Sequence, residues 1–380
     1  MTSKLEDLIA ELCPNGVEYK ALSEVSDMKR GTTVTKKSVN PGDIPVISGG
    51  REPAYYCDTS NRNGETITVA GSGAGAGFVQ YWDKPIFVCD AFSVKGIDDL
   101  TLTKFLYYVL LSKQETIYAT KKGGGVPHVH ISSIENFEIP VPPLEVQAEI
   151  VRILDTFTEL TAELTAELTA RKKQYEYYRD TLLTFNDNNP LHSLISRYCP
   201  NGVEYKKIGD VANYEQPTKY IVKSTEYNNS FATPVLTAGQ SFILGYTDEL
   251  DNIYLASKDN PVIIFDDFTG AIQWVDFPFK VKSSAMKMIT AKPNMLIRYL
   301  YHWMSLLGFS SSEHKRLWIS TYSNFEIPIP PLEVQLQIVQ ILDRFDALCN
   351  DLTQGLPAEI EARRKQYEYY RDQLLTFKHA

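Results

Sequence analysis

The stretch FEIPVPPLEVQ, beginning at Phe137, returns as FEIPIPPLEVQ at Phe325, and no other feature constrains this chain so strongly. Two further segments repeat in the same order. CPNGVEYK stands at Cys13 and again at Cys199, and RKKQYEYYRDTLLTF at Arg171 recurs as RRKQYEYYRDQLLTF at Arg363. The separations are 186, 188 and 192 residues, so the register slips by only a few positions over half the chain. Self-similarity at a nearly fixed offset marks one structural unit used twice. Between the shared segments, residues 23–135 and 207–323 have little in common beyond pattern. Each half is therefore a variable body followed by a constant tail, and 380 residues with 43% hydrophobic content suffice for two separate cores.

The tails predict long helices. In the first, apolar residues recur at Val146, Ile150, Ile153, Phe157, Leu160, Leu164 and Leu168, then at Tyr175, Tyr178 and Leu182, three or four apart except for a skip at Arg171. The stripe is narrow and its flanks are polar, which suits a helix with one side against a partner and the rest in water. The second tail repeats it through Val334, Ile338, Ile341, Phe345, Leu348 and Leu352 and resumes at Ile360, Tyr367, Tyr370 and Leu374. Gly355 and Pro357 predict a kink or break there, with a restart at Pro357. A helix of about 40 residues is about 60 Å long, more than one body can cover. The economical solution packs the two tails antiparallel, with a pseudo-twofold axis across the pair. Pro140, Pro142 and Pro143 make the segment before each helix a stiff elbow, and Glu145 suits the positive end of the helix dipole.

The bodies read as mixed and mostly β. IPVIS, TITVAG, GFVQYW and IFVCDAFSV predict strands in the first, followed by a helix in LTKFLYYVLLSKQETIY. ATPVLTAG, NIYLA, PVIIFDD, AIQWVDF and FKVKSS do so in the second, before a helix around MLIRYLYHWMSLL. The expected fold class is α+β, with two mixed, mostly β domains and two long antiparallel helices. The expected divisions are residues 1–143, 144–185, 186–331 and 332–380.

The formal net charge is −9, but its distribution matters more than its sum. Lys and Arg balance Asp and Glu at 13 against 13 over residues 20–143 and at 12 against 12 over residues 206–331. The tails, residues 144–185 and 332–377, carry 5 against 8 each. Acidity is thus concentrated outside the bodies. Five cysteines without a CxxC indicate neither a disulfide framework nor a zinc site. No apolar run approaches the roughly 18 residues of a membrane span, and the first residues lack the pattern of a signal peptide. A cytoplasmic protein is expected.

The duplicated IPxPPLEVQ elbow, the helix that follows it, the tandem TAEL units at residues 161–164 and 165–168, and the RKKQYEYYRD segment resemble the specificity subunit of type I restriction-modification enzymes, in the subtype marked by TAEL repeats. The resemblance runs through the constant segments along the whole chain. It implies that the bodies are target-recognition domains, each reading one half of a bipartite DNA site, and that the helix pair sets the spacer and docks two methyltransferase subunits. Restriction and translocase subunits would join through that core. It further implies no cofactor in this chain, with S-adenosylmethionine, ATP and Mg²⁺ belonging to the partner subunits. A generic helix-forming repeat is the plainer reading of TAEL.

Residues that could touch DNA are cations and hydrogen-bonding groups on turns. In the first body MKRGTTVTKKS offers Lys29, Arg30, Lys36 and Lys37, and KKGGGVPHVHIS offers Lys121, Lys122, His128 and His130. The 188-residue offset sets VPHVHIS opposite HKRLWIS, adding His314, Lys315, Arg316 and Trp318. Lys219, Tyr220 and Lys223 form a weaker set in the second body. A solvated surface loop is the alternative for each. His128 and His130 lack a third metal ligand. AGSGAGAGF does not fit GxGxxG, no GxxxxGK[ST] is present, and neither an NPPY-like nor a GxSxG motif occurs. Asp266 and Asp267 in IIFDDFTG could hold a metal, although such pairs more often bond a turn. A standalone modifying enzyme or a peptide-binding scaffold are the competing classes, the former disfavoured by the missing motifs.

Overall fold

A computed structural model describes residues 3–123, 125–237, 242–308, 315–351 and 354–380. The chain divides into two compact units, Met1–Thr165 with Glu359–Ala380, and Ala166–Ala358. In the first, a four-stranded antiparallel sheet has the order Ser26–Arg30, Ala91–Gly96, Thr66–Ala70, Val79–Trp82. A three-stranded sheet places Ile44–Ile47 between Tyr55–Cys57, which is antiparallel to it, and Phe87–Val88, which is parallel. The second unit repeats both sheets. Ala212–Glu215, Met286–Ala291, Val262–Asp266 and Ile272–Val275 form the larger, and Ile243–Thr247, Thr233–Leu236 and Lys280–Val281 the smaller.

The strand Thr66–Ala70 is buried throughout, as is Val262–Asp266, so both central strands are covered on each face. Helix Thr103–Ser112 packs on the first sheet and Ile297–Leu307 on the second. Two sequence expectations are corrected. NIYLA supplies only an isolated bridge, Tyr254 to Phe279, in place of a strand. Lys29 and Arg30 close the edge strand Ser26–Arg30 instead of lying in a turn. Edge strands that alternate exposed polar residues carry little apolar signal, which is why Ser26–Arg30 and Ala212–Glu215 escaped detection.

The first tail is one helix, Leu144–Leu182, and the second is two, Leu332–Asn350 and Leu356–Leu374. The second helix of the pair restarts one residue before the expected Pro357. A Cβ at Gly355 would lie 2.6 Å from the Asp351 carbonyl, so the backbone there runs too close for any side chain. Each elbow strand pairs with the start of its own body, Glu138–Pro140 with Tyr19–Ala21 and Glu326–Pro328 with Tyr205–Lys207.

The tails exchange their closing halves. Phe157 of the first tail stacks on Tyr370 of the second in the first unit, centroids 5.4 Å apart. In the second unit Tyr178 of the first tail stacks on Phe345 of the second at 5.1 Å. These are the same two repeat positions with the tails interchanged. Within the second unit the helices run antiparallel, since Tyr178 meets Phe345 while Arg171 and Lys172 act on Cys349. Leu374 and Leu375 join Leu5 in the first core, and Leu182 and Leu183 join Ile195 in the second.

The glutamine of the elbow motif has a physical role in both units. Gln147 is fully buried, accepts the Leu102 amide at 2.9 Å and donates to the carbonyls of Leu100 at 2.9 Å and Pro142 at 2.7 Å. Gln335 repeats the pattern with Leu296 N at 2.9 Å, Asn294 O at 3.1 Å and Pro330 O at 2.7 Å. One side chain thus ties each elbow to the entry of the helix on its body.

Candidate functional site

In the first unit the end of strand Ser26–Arg30 meets the turn at Cys89 and Asp90 and the segment around His128. Arg30, Gly31, Thr33, Gly71, Asp90, His128 and His130 line a cleft of about 240 Å³. Two candidate stretches almost a hundred residues apart are thereby brought together. Close backbone approach makes the floor, because a Cβ on Gly31 would lie 2.1 Å from the Cys89 carbonyl. The glycine-rich segment at Gly71 forms one wall, its carbonyl accepting the Val129 amide at 3.0 Å. Lys122 and His128 exchange backbone bonds of 3.0 and 2.8 Å. The rings of His128 and His130 stack with centroids 5.8 Å apart.

The remaining first-body candidates are placed less usefully. Lys36 and Lys37 are exposed on the following turn. Lys29 is exposed but ion-paired with Asp27. Lys121 sits over the Tyr118 ring at 4.1 Å. Sequence reading missed Arg62, which donates to Ser93 Oγ at 2.7 Å and to the Arg30 carbonyl at 2.9 Å and so braces the cleft's edge strand from behind. No local pattern distinguishes it from any surface arginine.

The second unit builds the same frame with other side chains. Leu317 N donates to the Asp267 carbonyl at 2.8 Å as Val129 N does to Gly71. Asp267 N in turn donates to Ala285 O at 3.0 Å as Gly71 N does to Asp90 O. The register therefore sets Arg316 in the place of His128 and Trp318 in that of His130. Ala212 pairs with Ala291 as Ser26 does with Gly96, so Gln216 stands where Arg30 does. Arg316 and Lys315 are exposed. His314 lies outside the described residues.

Trp318 corrects its expectation. It is 1% exposed, with its ring against Phe265 at 5.3 Å, so the indole is a core group and cannot meet a duplex in this conformation. Tyr220 is 7% exposed and donates to Glu215 at 3.1 Å. Lys219 lies 3.9 Å from Glu215, and Lys223 is held by Asp251 at 2.6 Å, which pushes its ammonium pKa up. Asp266 bonds its own turn through the amides of Phe268 and Thr269. Asp267 pairs with Lys287. Among the described residues no group of three or more His, Cys, Asp or Glu side chains is arranged to hold a metal ion, and no helix is long and apolar enough to cross a membrane.

Comparison with known proteins follows the duplication. The family model described as "Type I restriction modification DNA specificity domain" matches residues 14–171 and again 200–362. The specificity subunit of the Escherichia coli type I enzyme EcoR124I/EcoR124II is 54% identical over 187 residues, a match covering 46% of this chain and 45% of that protein. A type I specificity subunit from Haemophilus influenzae is 29% identical over 395 aligned positions, covering 95% of this chain and 96% of its own. The crystal structure of an S subunit from M. genitalium superposes with a TM-score of 0.68 at 18% identity, covering 95% and 97% of the two chains, a likeness of fold.

Proposed function

From the premise that this chain belongs to the type I restriction-modification DNA specificity family, we propose that its two bodies each read one half of a bipartite, asymmetric DNA site while its tails set the unread spacer and dock two methyltransferase subunits. One observation carries the reading. The backbone bonds that frame the loops at Val129 and Leu317 are the same in both units, yet the side chains on that frame differ, with Arg30 and His128 answered by Gln216 and Arg316, and His130 by the buried Trp318. A reader of two unlike half-sites needs one scaffold carrying two sets of hydrogen-bonding groups. Arg pairs with guanine edges and His can donate or accept at a base edge, while Lys36, Lys37, Lys122 and Lys315 are suited to phosphates.

The chain itself performs no catalytic step in this reading. Extruding and methylating a base needs a pocket that belongs to the methyltransferase partner, so S-adenosylmethionine serves that subunit, and ATP and Mg²⁺ serve the restriction subunits that join through it. The enzyme works in the cytoplasm. The TAEL units make the first tail a ruler of the TAEL-repeat subtype.

Sequencing of modified bases in cells carrying this chain with its partners tests the proposal. Arg30→Ala and His128→Ala are expected to relax one half-site, by roughly tenfold at a single base pair, and leave the other half-site intact. Unchanged selection at both half-sites in both variants would sink the cleft as a reader.

A further inference from the structure

The two units choose opposite chemistry at one buried place. In the first unit Val69 pairs with Phe92, and Gly71 begins the turn that follows. In the second, Phe265 pairs with Lys287 and the turn begins with Asp267. Lys287 and Asp267 are each 1% exposed, and Lys287 Nζ lies 2.9 Å from Asp267 Oδ2. Among the described residues Asp267 is the one ion-pair partner of that ammonium, which also lies 6.0 Å from the centre of the Tyr214 ring.

A buried ion pair of this kind is a poor stabiliser, because removing two charges from water offsets most of their attraction, and an apolar replacement of similar volume is often neutral or better. The first unit is the internal control, since Gly71 and Phe92 fill the same two positions of the same sheet. Folding of such a body does not require the charges. What the second unit gains is a fixed loop. Asp267 takes Leu317 N on its carbonyl at 2.8 Å and Trp318 N on Oδ1 at 2.9 Å, and the second bond has no counterpart that Gly71 could offer. Asp267 therefore holds two successive amides of the segment that carries Lys315 and Arg316, and Lys287 holds Asp267.

We propose that the Asp267–Lys287 pair is a specificity-positioning device, which sets the loop bearing Arg316 in the geometry that reads the second body's half-site. The inference rests on the assignment of that loop as a DNA reader. Neither residue touches DNA, and each acts through the backbone of residues 316–318. With the bond to Trp318 N gone, the loop keeps one anchor and samples several poses, so Arg316 accepts more than one base.

The test uses the full chain assembled with its methyltransferase partners and competition binding among duplexes altered in one half-site at a time. D267G/K287F installs the first unit's residues and is expected to lower discrimination roughly tenfold at the second body's half-site alone. D267N/K287Q keeps an amide oxygen for Trp318 N without the charges and is expected to stay within about twofold of the parent. Full discrimination in D267G/K287F, or equal relaxation in both double variants, overturns the proposal. Should D267G/K287F not assemble with its partners, D267A/K287M carries the same comparison. Arg316→Ala separates this inference from the reading beneath it. Discrimination lost in R316A but kept in D267G/K287F overturns the positioning role alone, whereas discrimination kept in both overturns the loop as a reader as well.

Discussion

Gln147 and Gln335 show how much one side chain can hold. Each is fully buried and satisfies one amide and two carbonyls that would otherwise be stranded between elbow and body. Gln147→Leu, close in volume, leaves those groups unpaired and is expected to cost about 2–4 kcal/mol, read as a lower midpoint of chemical denaturation. The repeated motif contains this residue, but two of the three partners of Gln147, Leu100 and Leu102, lie some forty-five residues away and were not legible. His302 is a second case. Its Nε2 lies 2.9 Å from Asp343 Oδ1 and its Nδ1 3.4 Å from the Tyr175 hydroxyl. Burial pushes its pKa below the ordinary range, against the pull of Asp343. With the folded value below the unfolded one of about 6.5, the unfolded chain takes up a proton that the folded unit resists. Stability from this source is intact at neutral pH and above and erodes as the pH falls below about 6.5. Tyr108 holds the matching place in the first unit and donates to Asp155 at 2.5 Å. His302→Tyr is therefore expected to flatten the loss of stability between about pH 7.5 and about pH 5.5. Parallel denaturation midpoints for parent and variant at those two values would refute it.

The tails are the elements on which the reading of two halves turns. Their stripes predicted helices correctly, because three-and-four spacing is a local property of the chain. The antiparallel pairing expected of them is met within each unit, where Tyr370 and Tyr178 stack on the other tail's phenylalanine. Phe345→Ala and Phe157→Ala each remove a half-buried ring from such a stack and are expected to cost about 2–3 kcal/mol, visible as a lower melting temperature of the full chain. Four further helical residues add about 6 Å and about 40°, while one base pair adds about 3.4 Å and roughly 35°. A third TAEL inserted after Leu168 is expected to lengthen the unread spacer by about one base pair with both half-sites unchanged. Modification mapping that found altered half-sites and the old spacer would discard the ruler.

At the scale of the molecule the charge distribution sets a further expectation. Neutral bodies and acidic tails, in a chain of net charge −9, carry no net positive charge from which strong non-specific DNA affinity is made. The isolated chain is expected to bind its site weakly, and the assembly with methyltransferase partners to bind it tightly and selectively. Anisotropy titrations at one fixed salt concentration would contradict this if they gave equal affinities with and without partners. Sequence alone determined that the chain is a duplicated unit with two unlike bodies and two like tails, because repetition, proline punctuation and helical spacing are all written locally. Tertiary structure decided the rest. It joined Arg30 to His128 across one cleft, turned Trp318 inward, and tied the loop of Arg316 to a buried ion pair. Each of those outcomes depends on which distant segments meet when apolar surface is buried, and pairings of that kind leave no mark in the order of the residues.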